Sequence, residues 1–296
     1  MSKTVFTGSG VAIITPFNEN GIDFDSFGKL IDFHLDNNTD SIIVCGTTGE
    51  AATMPDEEHL SAIEFTVKRV NGKIPVIAGT GSNDTVHGIK LSQEAEKLGA
   101  DALLVVTQYY TKTNKQGLIN HFKAIADSVN IPLILYNVPS RTGMSIGLDV
   151  LEELVKIDNI VGIKEASGNF SYLMELAAKF SDRLDIYSGN DDIIVPVMSV
   201  GGKGVISVLA SVLPQETHDI CQLYLDGKTE ESMKLQFKYL DLINSLFCEV
   251  NPIPVKTAIN LMGLNGGKLR MPLYEMDEKN KQRLIKSLEN AGVKLV

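Results

Sequence analysis

Apolar residues along the chain fall into two alternating patterns. Short runs rich in Val, Ile and Leu recur at residues 11–17, 41–46, 75–81, 100–107, 131–137, 160–166, 184–189 and 203–208. Most are apolar at successive positions, as in Ile42-Ile43-Val44 and Leu103-Leu104-Val105-Val106, which marks a strand covered on both faces. Between them, apolar residues take helical spacing and form single stripes: Phe24, Phe27, Leu30, Ile31 and Leu35 in the first gap, Leu118, Phe122, Ile125 and Val129 in the fourth. Thr53 with Asp56 three residues on predicts a capping box around Pro55, and Gly72 and Gly99 stand where helix ends want a left-handed residue.

Eight strand-helix units whose strands begin 19 to 34 residues apart predict an α/β fold, a closed (βα)8 TIM barrel rather than an open doubly wound sheet. After the eighth strand the pattern is helical only, near 214–225, 230–247, 254–262 and 277–290. The expected organisation is a barrel core over 1–212 and a C-terminal helical region over 213–296 packed on it. That region would serve an oligomer contact or cap the barrel.

Parallel barrel strands all open their following loops on one face, so active groups belong at strand C-terminal ends. That rule selects Thr47 and Thr48 after strand two, Tyr109 and Tyr110 after strand four, Tyr136 in strand five, Lys164 in strand six, Gly189 after strand seven and Ile206 in strand eight. Lys164 is the most informative, because it breaks the apolar run Ile160-Val161-Gly162-Ile163. A buried lysine must be neutral or paired. To be free amine near neutral pH it must lose about 3 pKa units from roughly 10.4, a cost of about 4 kcal/mol, and an apolar wall shifts it that way. A neutral amine at a pocket mouth is what imine formation with a ketone requires. The competing reading is an ion pair with Glu165, weakened because adjacent strand residues point to opposite faces.

Tyr136 is either a core aromatic or a phenol placed to relay protons. Arg141, just beyond it in Val138-Pro139-Ser140-Arg141, either meets a substrate carboxylate or pairs with a surface acid. Gly46-Thr47-Thr48-Gly49-Glu50 lets the backbone approach a ligand closely and offers successive amides to a carboxylate. It lacks both dinucleotide and P-loop spacing. Gly201-Gly202-Lys203-Gly204 precedes strand eight and reads as a tight turn at the other barrel end.

Composition narrows the field. Hydrophobic residues at 44% and charged residues at 22% suit a globular protein. A formal charge of -10 argues against a nucleic-acid partner. No run of about 18 apolar residues points to a membrane, and the N-terminus lacks a signal-peptide pattern, so a cytoplasmic location is expected. Cys45, Cys221 and Cys248 lack metal spacing, and Cys45 should pack as a small hydrophobe. His34, His59, His87, His121 and His218 form no paired metal motif and should lie on surfaces or helix faces. No metal is expected.

Three motifs in order, Gly46-Thr47-Thr48-Gly49-Glu50, Tyr136-Asn137-Val138-Pro139 with Arg141 and Gly143, and Val161-Gly162-Ile163-Lys164-Glu165-Ala166-Ser167-Gly168, resemble the pyruvate-dependent class I aldolase family of N-acetylneuraminate lyase type. The resemblance spans nearly the whole chain. It implies that Lys164 forms the imine, that Thr48, Tyr136 and Tyr110 relay protons with Tyr110 entering from a neighbouring subunit, and that Thr47 and the amides around Thr48 hold the pyruvate carboxylate. Arg141 would meet the second substrate's carboxylate, and Gly189 and Ile206 would line the pocket. Asn-Val-Pro-Ser-Arg-Thr-Gly is similar to the synthase branch, which implies condensation of pyruvate with L-aspartate 4-semialdehyde toward diaminopimelate and lysine. No cofactor and a homotetramer of tight dimers are implied too.

Family members inhibited by lysine bind it in the region matching Ala51, Ala52, Asp56, His59, Asn83, His87 and Tyr109, typically with histidine where Asp56 stands and glutamate where His87 stands. That exchange implies weak or absent inhibition here. Two rival readings remain: a lyase of sialic or keto-deoxy sugar acids working through the same imine, and a non-catalytic barrel that binds keto acids. A phosphate- or flavin-binding barrel is disfavoured, since Gly189-Asn190-Asp191-Asp192 puts two acids where an anion would sit.

Overall fold

A computed structural model describes residues 4–296. Eight parallel strands, β1 (Gly8–Ala12), β2 (Ser41–Val44), β3 (Val76–Gly79), β4 (Ala102–Val106), β5 (Leu133–Asn137), β6 (Ile160–Glu165), β7 (Asp185–Ser188) and β8 (Gly204–Ser207), close into a barrel in sequence order. Closure is made by β1, which pairs Gly8 with Gly204 of β8 on one side and Gly10 with Ser41 of β2 on the other. Nearly every strand residue is buried. The unbroken apolar runs are explained by this double coverage: one set of side chains meets the helices, the other fills the barrel.

The inner set includes Phe6, Ile77, Ala102, Ile134, Tyr187 and Ile206. Phe6 stacks on Tyr187 with ring centroids 4.4 Å apart, and the Tyr187 hydroxyl donates to the Phe6 carbonyl at 2.7 Å. The two rings plug the end where the strands begin, so among the described residues the barrel leaves space for a ligand where the strands finish.

The first strand lies earlier than the apolar pattern suggested. Residues 13–17 leave the sheet, and Phe17–Asn18 pairs with Gly21–Ile22 in a small hairpin. The physical reason is Phe6: a Cβ on Gly10 would lie 2.9 Å from its ring and 2.7 Å from Ile43 Cδ1. The strand therefore begins with Gly8-Ser9-Gly10, ahead of Val11 and Ala12, and that first part carries no hydrophobic signature. The capping box is also corrected. Thr53 ends a short 3-10 turn and bonds back to the Glu50 carbonyl, and the helix Asp56–Val70 starts after Pro55 with no side-chain cap. Three acids in its first turn, Asp56, Glu57 and Glu58, complement the helix dipole instead. Gly72 and Gly99 follow helix ends with φ of +73° and +93°, as expected.

The helix Pro214–Leu225 lies against β1 and β8, and Thr229–Leu246 packs along it. Ile253–Leu261 and Glu278–Asn290 follow. Residues 247–252, between the second and third of these helices, reach the open end of the barrel, where Phe247 and Asn251 join its lining. All five histidines lie on helices, but His34, His59 and His121 turn inward rather than to the surface. Cys45 is buried as expected, and burial pushes its thiol pKa up.

Candidate active site

Where the strands end, a cavity of about 170 Å³ opens. Ala12, Ile43 and Leu104 of the inner core line it, with Thr47, Thr48, Tyr136, Arg141, Lys164 and Gly189 from the strand ends and following loops. Six of the residues selected by the strand-end rule and the motifs thus converge on one space.

Lys164 and Tyr136 are register partners on β6 and β5. Both are buried, and the Lys164 side-chain nitrogen sits 4.4 Å from the centre of the Tyr136 ring. The ion pair with Glu165 does not form. Glu165 points to the opposite face, where its carboxylate accepts from Asn137 Nδ2 at 2.7 Å and from the Ser167 amide at 2.6 Å. Burial raises the Glu165 pKa, and these donors partly offset it. The same bonds tie β5 to β6 directly behind the Tyr136–Lys164 pair. Among the described residues no carboxylate lies within ion-pair distance of Lys164. Gly189, after β7, leaves the lysine its room: a Cβ there would lie 3.1 Å from Lys164 Cε and 2.6 Å from Ala166 Cβ.

The chain leaves β2 by a sharp turn in which Cys45 takes a φ of +57°. Thr47 follows half-buried and Thr48 buried. Gly49 is held by Thr15, whose hydroxyl donates to its carbonyl at 2.7 Å. Glu50, again at φ +57°, turns its carboxylate to Lys256, 2.5 Å away, in an ion pair closed off from solvent. Burial lowers the Lys256 pKa, and Glu50 counters part of that shift. The Thr48 hydroxyl accepts from Asn251 Nδ2 at 2.9 Å.

Arg141 rides on the short helix Pro139–Thr142 at the cavity rim. Its Nη2 donates to the Asn251 carbonyl at 3.4 Å. Among the described residues no acid lies within ion-pair distance of it, so the alternative of a surface ion pair is not realised.

Two expected residues lie elsewhere. Ile206 is buried in the inner core cluster, and Val208, two residues on, lines the cavity instead. Tyr110 is 94% exposed at φ +66° and is outside the cavity of its own chain. Of the region matched to lysine binding, Asp56 and His87 meet, with His87 Nε2 at 2.9 Å from Asp56 Oδ1 and Lys90 at 3.6 Å from Oδ2. His59 is buried with Nε2 at the Gly79 carbonyl, 2.8 Å away. Ala51 is half-buried, and Ala52, Asn83 and Tyr109 are exposed. The sequence reading missed Phe247 and Asn251. The only local signal was a polar-proline pair, Asn251-Pro252, between two apolar helices.

A buried lysine over a tyrosine ring, at the C-terminal mouth of a (βα)8 barrel, suits the imine chemistry of a class I aldolase-type lyase. Comparison with known proteins agrees. Residues 5–291 match the Dihydrodipicolinate synthetase family, and the chain belongs to it. It is 58% identical to the 4-hydroxy-tetrahydrodipicolinate synthase of Caldicellulosiruptor saccharolyticus over 98% of this chain and 99% of that one. The crystal structure of dihydrodipicolinate synthase from Aquifex aeolicus superposes with a TM-score of 0.96 at 43% identity, covering 98% and 99% of the two chains. The chloride-inhibited enzyme of Acinetobacter baumannii, solved with pyruvate, gives 0.95 at 42% identity over 98% and 100%.

Proposed function

We propose that this lyase condenses pyruvate with L-aspartate 4-semialdehyde on an imine at Lys164, in the route to diaminopimelate and lysine. One observation carries the reading: Lys164 is buried at the cavity wall with an aromatic face, not an acid, as its neighbour. Its amine attacks the pyruvate ketone, and water leaves as the imine forms. Loss of a methyl proton gives an enamine, whose carbon bonds the aldehyde carbon while the aldehyde oxygen takes up a proton. Attack of the semialdehyde's own amine on the imine carbon then closes a ring and frees Lys164.

Tyr136, under the amine, is proposed to move protons together with a threonine hydroxyl and with Tyr110 of a second subunit. The exposure of Tyr110 suits a group whose partner lies outside its own chain. Arg141 faces the cavity without an acid of its own, which suits it to the semialdehyde carboxylate. For the threonines, the resemblance assigns Thr48 to the relay and Thr47 to pyruvate binding. The bond from Asn251 favours the reverse, because the Thr48 hydroxyl accepts from Asn251 and keeps its proton available for a carboxylate. Thr47, the more open of the two, is then left for the relay.

The test is an aldehyde competition: pyruvate consumption with aspartate semialdehyde against N-acetylmannosamine. Strong preference for the semialdehyde supports the proposal. Preference for the sugar would move the chain to the sialic acid lyases, whose polyhydroxylated substrate gains little from Arg141.

A further inference from the structure

Asn251 belongs to no sequence motif that pointed to the site, yet it touches two groups proposed to hold substrate. Its side-chain Nδ2 donates to Thr48 Oγ1 at 2.9 Å, and its backbone carbonyl accepts from Arg141 Nη2 at 3.4 Å. It is buried and lines the cavity. Its Oδ1 is also buried and has no partner among the described residues, so the amide is oriented by Thr48 alone. Five residues on, Lys256 grips Glu50, two residues beyond Thr48. The segment after the helix Thr229–Leu246 is therefore fastened to the loop after β2 at two points.

A hydroxyl carries one proton and two lone pairs. An N–H aimed at Thr48 Oγ1 occupies one lone pair and turns the Thr48 proton away from Asn251. We infer that Asn251 is a positioning residue for the first substrate: its amide presents the Thr48 hydroxyl proton to the cavity as a fixed donor for the pyruvate carboxylate. Its carbonyl separately braces Arg141 for the second substrate. The side chain acts on one substrate and the main chain on the other, so truncating the side chain separates them. This inference rests on the proposed pyruvate imine.

The experiment compares steady-state kinetics of the wild type, Asn251→Ala, Asn251→Asp, Thr48→Val and the double variant Thr48→Val/Asn251→Ala, with melting curves for each. Asn251→Ala is expected to raise KM for pyruvate about tenfold, the weight of one buried hydrogen bond, with KM for the semialdehyde unchanged. In the Thr48→Val background the same truncation changes little, because the hydroxyl it orients is gone. Asn251→Asp keeps the shape, loses the donor and sets a negative charge beside the carboxylate, so its KM for pyruvate rises further. Equal effects on both substrates, or additive effects of the two truncations, would overturn the inference. Borohydride trapping of the wild type with pyruvate separates the two levels: an untrapped wild type removes the imine reading and this inference with it. A trapped wild type with unaltered Asn251→Ala removes the inference alone.

Discussion

Lys256→Met tests how far the C-terminal helical region holds the active-site loop. The Lys256 and Glu50 side chains are 1% and 0% exposed, so solvent does not screen the pair. Lys256 Nζ also donates to the Lys268 carbonyl at 2.6 Å and lies 4.5 Å from the Phe17 ring centre. The Glu50 carboxylate lies 2.5 Å from the Lys256 nitrogen, and its charge and hydrogen bond together counter the burial that lowers the Lys256 pKa. Methionine fills the space of the lysine stem but strands a buried carboxylate, which costs about 3–5 kcal/mol. For a chain of this size that is a fall in Tm on the order of 10 °C. Because Glu50 directly follows Thr47-Thr48-Gly49, KM for pyruvate should rise as well. Urea unfolding followed by circular dichroism gives the stability change. Glu50→Gln/Lys256→Met removes the stranded charge and should recover more than half the loss. A penalty under about 1 kcal/mol, or a double variant no better than the single one, would refute the reasoning.

Gly189→Ala should cut turnover at least tenfold in a folded protein, because the new methyl meets Ala166 Cβ at 2.6 Å and crowds Lys164 Cε; wild-type turnover in that variant would contradict the packing argument. His34 is fully buried with its pKa pulled down to about 3. Folding therefore needs a neutral ring, and stability is present above about pH 6.5 and lost as pH falls, by about 2 kcal/mol at pH 5. His34→Gln should flatten the pH dependence of urea unfolding between pH 7 and 5 by that amount, and an unchanged slope would exclude His34 as the cause. L-Lysine should inhibit weakly or not at all, since the Asp56 carboxylate is already taken by His87 and Lys90. His87 first, with Lys90, holds the Asp56 pKa below the ordinary range despite the opposing effect of desolvation. Sub-millimolar inhibition in a rate assay would show that lysine displaces them.

What was legible in the sequence was whatever a side chain announces by being out of place. Lys164 stood out because no barrel strand needs a charge there, and Arg141 because it follows a strand end. The eight runs showed the barrel since strands buried on both faces cannot alternate. The start of β1 escaped because it is glycine and serine: Gly10 leaves room for Phe6 and Ile43, and Gly8, at φ +108°, for the Asp40 carboxylate. Thr53 and Asp56 mimicked a capping box, but Thr53 had already been used to close the turn on Glu50. Asn251 escaped for a different reason: its partner Thr48 lies 203 residues away, and nothing local marks a hydrogen bond across that distance. Ile206 ends in the inner core cluster beside the cavity-lining Ala12, Ile43 and Leu104, and Val208, two residues on, lines the cavity from the same end of β8.

The most direct test of the account is borohydride reduction with pyruvate, followed by mass mapping of the peptides. The account predicts a single pyruvate-derived adduct on Lys164, absent from Lys164→Ala together with condensation activity. An adduct on another lysine, or undiminished condensation in Lys164→Ala, would contradict it.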